Sequence, residues 1–111
     1  MLGVYQRAWR NHGEYAEIAA EAARDPAAAA QHKGVEVDAG PPVRVAFSSG
    51  GLLDNWHGIV HDPSGAVLDA NLPPGVWETV DPAAREARAF FGGTLVRARH
   101  LWGDWYYCQF T

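Results

Sequence analysis

The sequence predicts an α+β domain of two layers, an antiparallel sheet of about four to six strands with helices packed on one face. Three observations predict it. The first third is rich in alanine and places apolar residues at helical spacing. From residue 35 onward, short β-rich segments alternate with turns built of Gly, Pro, Asp and Ser. One segment with a helix start signal, "DPAAREARAFFGG", falls between two hairpins, so helices and strands are segregated rather than alternating as they do in a parallel sheet.

The elements follow in chain order. Residues 4–12 place Val4, Tyr5, Ala8, Trp9 and His12 at helical spacing, although a strand also suits them. Residues 14–24 form a clearer helix, with Tyr15, Ile18, Ala19 and Ala22 as its apolar stripe and Glu14, Glu17 and Glu21 together away from it. Asp25-Pro26 is an N-cap followed by proline at the first helical position, and Gly34 ends that short helix. "VEV" (35–37) and "VRVAF" (43–47) are strands divided by the breaker "DAGPP", and "SSGGLLDN" is expected as a loop.

Next comes a hairpin near 56–72, turning at Asp62-Pro63-Ser64-Gly65. The helix over 81–91 has Asp81 as its cap and Pro82 at its start. Ala83, Ala87, Phe90 and Phe91 point inward, and Gly92 closes it. A second hairpin, near 94–110, turns at Gly103-Asp104 and ends the chain. The 111 residues are expected to form one globular domain, 1–111.

Composition narrows the function classes. The chain carries thirteen acidic against nine basic residues, a net charge of −4, which argues against direct binding to a polyphosphate backbone. Cys108 is the only cysteine, so neither an internal disulfide nor a thiolate zinc site can form. The N-terminal residues lack the apolar core of a secretion signal, and no apolar run approaches a bilayer span, so a cytoplasmic setting is the default expectation. Five tryptophans are more than a chain of this length usually carries, and they supply either a dense core or anchors for a partner.

The stretch "NWHGIVHDPSGAVLD" (55–69) holds two histidines four apart and two aspartates. On a strand, positions i and i+4 share a face but stand about 13 Å apart, too far for both imidazoles to ligate one ion. No metal and no cofactor is expected. In the hairpin register, Asp69 lies diagonally between His57 and His61, where it would orient His57 as a general base. The bland alternative is a solvated polar face.

Other constellations carry less. "FSSGG" lacks the residues of a phosphate-binding loop. Ser48 or Ser49 with His57 and Asp54 makes a triad only on paper, with no nucleophile elbow. Cys108 in a terminal strand reads as a small buried hydrophobe. In the C-terminal hairpin, a plain two-residue turn mixes polar and apolar residues on both faces. An added bulge would instead place Arg97, Arg99, Leu101, Trp105, Tyr107 and Gln109 together on the outer one.

A non-enzymatic, acidic protein-binding protein is therefore the expected class, an interaction or inhibitor protein acting on a larger protein partner. By analogy with small acidic proteins of mobile elements, that partner would be a nucleic-acid-binding machine. Glu14, Glu17 and Glu21 on the first helix, and Arg97, Arg99, Trp105 and Tyr107 on the last hairpin, are its candidate binding residues. The alternative is a small enzyme or ligand-binding domain with His57 as base and Asp69 as its orienting carboxylate. A homodimer through an open sheet edge is compatible with either class.

Overall fold

The computed structural model describes residues 11–52, 55–69 and 89–111. In chain order these form α1 (His12–Arg24), α2 (Pro26–Ala29), β1 (Val35–Asp38), β2 (Arg44–Leu52), β3 (Asn55–His61), α3 (Ala66–Asp69), β4 (Ala89–Phe90), β5 (Gly93–Trp102) and β6 (Trp105–Phe110). The strands make one antiparallel sheet in the order β1-β2-β3-β6-β5-β4, so the fold is α+β as predicted. The sheet curls nearly into a barrel. Its end strands β1 and β4 face each other across a cleft of about 460 Å³, and the Arg44 guanidinium of β2 sits 5.3 Å from the ring of Phe90 in β4.

Period-two alternation along the central strands divides the core in two. On one face Val45, Phe47, Ile59 and Trp105 pack against Ile18, Ala19 and Ala22 of α1 and Ala29 of α2. Tyr15 stacks on Phe47 with ring centroids 4.1 Å apart, which locks the helix to the sheet. On the other face, inside the curl, lie Ala46, Val60, Leu95, Ala98, Tyr106, Cys108 and Phe110, with Val67 of α3 and Phe90 of β4. The predicted apolar stripe of α1 is thus the buried one. Asp25 caps α2 as expected, its Oδ1 accepting from the Ala28 N–H at 3.2 Å.

The C-terminal hairpin satisfies both competing demands. Trp102 pairs with Trp105 across a two-residue Gly103-Asp104 turn. A bulge at Leu101 then shifts the register so that His100 pairs with Tyr106 and Ala98 with Cys108, and a second bulge at Val96 brings Leu95 opposite Phe110. Apolar residues are thereby returned to the inner face.

Three expectations need correction. Residues 48–52 are not a loop: β2 runs on to Leu52 with a bulge at Ser49 and pairs with β3. The hairpin near 56–72 does not form, because β3 pairs with β2 and β6, and Ala66–Asp69 is the short helix α3. The end of the helix over 81–91 is also different. Ala89 and Phe90 are strand, and Phe91 and Gly92, both at positive φ (54° and 74°), turn the chain tightly into β5. Positions 81–88 of that expected helix lie outside the described residues, as do 4–10 and 70–72.

Candidate functional site

Sheet register brings His57 onto the same face as Arg97, Arg99 and Tyr107, the one that α1 partly covers. One lateral row reads Phe47, Ile59, Tyr107, Arg99, and the next reads Gly50, His57, Gln109, Arg97. Directly paired side chains stand about 5 Å apart at Cβ, and residues two apart along a strand about 7 Å. His57, Gln109, Arg97, Tyr107 and Arg99 are therefore contiguous. Helix α1 packs over the Phe47–Ile59 end of these rows. At the other end Arg99 and Gln109 are exposed and Arg97, His57 and Tyr107 half-buried.

Arg97 and Arg99 form no ion pair among the described residues, and the side chains opposite them are an amide and a phenol rather than carboxylates. Arg44 is the contrast, held by Asp62, Asp38 and Ser64. The His57 ring lies over the bare backbone of Gly50, where a Cβ would stand 3.4 Å from Nε2, and tilts against Tyr107 at 5.9 Å. Its Nδ1 is buried and meets no hydrogen-bond partner among the described residues. An unsatisfied buried nitrogen costs on the order of 1–3 kcal/mol.

Asp69 does not join His57. It ends α3, on the inner side of the sheet, where its charge acts on Tyr106. The physical reason is Asp62. Its carboxylate accepts from the Ser64 N–H (3.0 Å), the Ser64 hydroxyl (2.7 Å) and the Val67 N–H (3.1 Å), and this launches a helix where a returning strand was expected. A general base at His57 is therefore left without its orienting carboxylate.

The remaining candidates distribute as follows. Trp105 is 7% exposed and belongs to the core against α1, so its ring contacts Tyr15, Phe47, His12 and His61 rather than solvent. Glu14 and Glu17 are exposed on α1, while Glu21 is engaged by His32 at 2.8 Å. Cys108 is fully buried on the inner face, away from His57, and burial together with the Asp62 charge pushes its thiol well above the usual range. Among the described residues no group of three or more His, Cys, Asp or Glu side chains could hold a metal ion, and no helix is long and apolar enough to cross a membrane.

His61, at the covered end of the same face, sets a pH dependence. Its ring packs 4.7 Å from Trp105. Burial lowers its pKa below the usual 6.5, with Asp104 and Asp62 offsetting part of that effect. The unfolded chain then binds a proton more readily than the folded one, so this contribution to stability is complete above the unfolded value and is lost as pH falls below about 6.5. Thermal melting should drop between pH 7 and pH 5 (~), and His61→Gln should flatten that part of the profile. An unchanged slope in the variant would remove His61 as its source.

The sequence signal that joins the patch was the alternation of β6 and β5 once bulged. The signal that adds His57 to it, pairing of β3 with β6, is not local: His57 lies opposite Gln109, more than fifty residues further along the chain. Comparison with family models, with curated proteins and with solved structures finds no match to this chain.

Proposed function

We propose that this chain is a non-catalytic protein-binding domain that attaches to a larger protein partner through the outer face of β3, β6 and β5. One observation carries the reading. Arg97 and Arg99, side by side on an acidic chain, have no counter-ion among the described residues and lie against Tyr107 and Gln109. Guanidiniums next to an aromatic ring are the composition of interface hot spots. Like charges left uncompensated on a strand face destabilise the free protein slightly, and a partner carboxylate or phosphate relieves them. The exposed Glu14 and Glu17 of α1 offer a second, oppositely charged edge to the same partner.

The test is affinity capture from the host lysate at low and high salt, using wild type, the Arg97→Glu/Arg99→Glu double variant and a Glu14→Lys/Glu17→Lys double variant. A stoichiometric partner lost at least tenfold with the arginine variant supports the sheet face. Loss only with the glutamate variant moves the interface to α1. Capture unaffected by both variants overturns the charged-face reading.

A further inference from the structure

We propose that Arg97 and Arg99, with Tyr107 and Gln109 beside them, form a recognition site for a single phosphoryl group, presented as a phosphorylated side chain of the protein partner. This deepens the protein-binding reading and rests on it.

The stoichiometry of charge makes the case. A carboxylate has two oxygens, and one guanidinium fork satisfies both. Two arginines without a carboxylate partner among the described residues, about 7 Å apart on one strand face, suit instead an anion with three acceptor oxygens and nearly two charges, which is a phosphate monoester. The neighbours suit it as well. Gln109 brings an amide donor and Tyr107 a hydroxyl donor on the adjacent strand, each directly opposite one of the arginines. No carboxylate among the described residues pairs with either arginine to compete for it.

The same accounting argues against an extended polyanion. Nucleic acid and anionic membranes draw affinity from many cationic contacts, each releasing a counter-ion. Among the described residues this sheet face offers only Arg97 and Arg99, on a chain whose net charge of −4 disfavours such a partner. A localised dianion matches what is present. Recognition of phosphorylated segments by arginine clusters is a recurring binding mode.

The experiment is an NMR titration of the ¹⁵N-labelled full chain with phenyl phosphate and O-phosphoserine, against acetate and chloride at matched ionic strength. It reads arginine Nε–Hε signals and the backbone amides of β5 and β6. The expected result is saturable shifts centred on Arg97, Arg99 and Tyr107, with at least tenfold preference for phosphate monoesters over acetate. Arg97→Gln should weaken binding tenfold or more at unchanged melting temperature, and Arg97→Lys should not restore it, because an ammonium lacks the planar fork. Equal response to acetate and phosphate, or none at the two arginines, overturns the proposal. So does tighter binding of a short oligonucleotide or of vesicles containing anionic lipid through the same residues. If partner capture still depends on Arg97 and Arg99 while the phosphate titration is flat, the protein-binding reading stands and the phosphoryl site falls. Phosphate binding without arginine-dependent capture has the reverse meaning.

Discussion

Asp62→Ala is expected to lower unfolding free energy by about 3–5 kcal/mol, the usual loss when one partner of a buried ion pair is removed. The side chain is fully buried and both of its oxygens are hydrogen-bonded. Oδ1 accepts from the Ser64 N–H, the Ser64 hydroxyl and Arg44 Nε (3.1 Å), and Oδ2 accepts from the Val67 N–H. Alanine orphans those donors and leaves a guanidinium that is itself mostly buried, its side chain 14% exposed. The same residue ties elements together. Its own N–H donates to the Asp104 carbonyl, Arg44 reaches from it to Asp38 and over Phe90, and Val67 opens the helix that covers the inner core. Losing it should therefore loosen α3 and the β1–β4 closure together. With total stabilities of about 5–15 kcal/mol for ordinary domains, the variant would be marginal at room temperature.

Asp62→Asn separates charge from geometry. It keeps the Oδ1 acceptor but presents an amide donor to the Val67 N–H, so a loss smaller than that of alanine is expected. Burial alone would push the Asp62 carboxyl up; hydrogen bonds from Ser64 and Val67 and the Arg44 charge outweigh it and hold the pKa below the usual 3.8. This contribution is therefore present above about pH 4 and is lost as pH falls through the folded value. Urea denaturation of the three proteins at neutral pH and near pH 3 (~) measures both effects. A Asp62→Ala midpoint within experimental error of wild type would show that Asp62 does not organise this corner.

This corner also shows where local sequence reading stops. The period of α1, the cap at Asp25 and the Gly103-Asp104 turn were legible because each is decided by neighbours within about a dozen residues. The register of the last hairpin, by contrast, stayed open between a plain turn and a bulge and is set by two bulges, at Leu101 and Val96. "HDPSGAVLD" contains both a turn signal and a helix cap signal, and the alternation of Leu68, Ala70 and Leu72 as an apolar face matches a returning strand. What tips the balance is Arg44, which completes the coordination of Asp62 from eighteen residues upstream. Likewise "SSGG" carries turn residues, yet it is strand because β3 pairs with it and a bulge absorbs the misfit. For the candidate site, the arginine–tyrosine face was readable from β5 and β6 alone. That His57 belongs to it, and that Asp69 does not, depends on β3 lying beside β6. Trp105 was readable as an aromatic on that face, but its burial was not, because it is α1 that covers it.

Gly58→Ala is expected to destabilise by roughly 3 kcal/mol, at the upper end of what overpacking usually costs. Gly58 sits mid-strand in β3, opposite Ser48 of β2 and Cys108 of β6, beside the bulge at Ser49. A Cβ there would collide with the Phe47 carbonyl oxygen and stand 3.0 Å from Ser48 Cα. Both obstacles are backbone of a central strand, so no rotamer change relieves them, and β2 must move away from β3. Phe47 carries the ring on which Tyr15 of α1 stacks, so the displacement reaches the helix layer. For a domain of this size a loss of about 3 kcal/mol corresponds to roughly 10–20 °C in melting temperature. Gly50→Ala, on the same β2 segment, provides the comparison. There the nearest atom to a Cβ is the flexible His57 Nε2 at 3.4 Å, so contact alone predicts little, and the loss comes from its φ of +155°. Differential scanning calorimetry together with near-UV circular dichroism distinguishes these sources, because Gly58→Ala should weaken the Tyr15–Phe47 contact and the near-UV aromatic signal while Gly50→Ala leaves that signal in place. A Gly58→Ala protein that melts like wild type would mean that β2 and β3 can separate without disturbing α1, and the tight approach at the bulge would then have no role in holding the helix over the sheet.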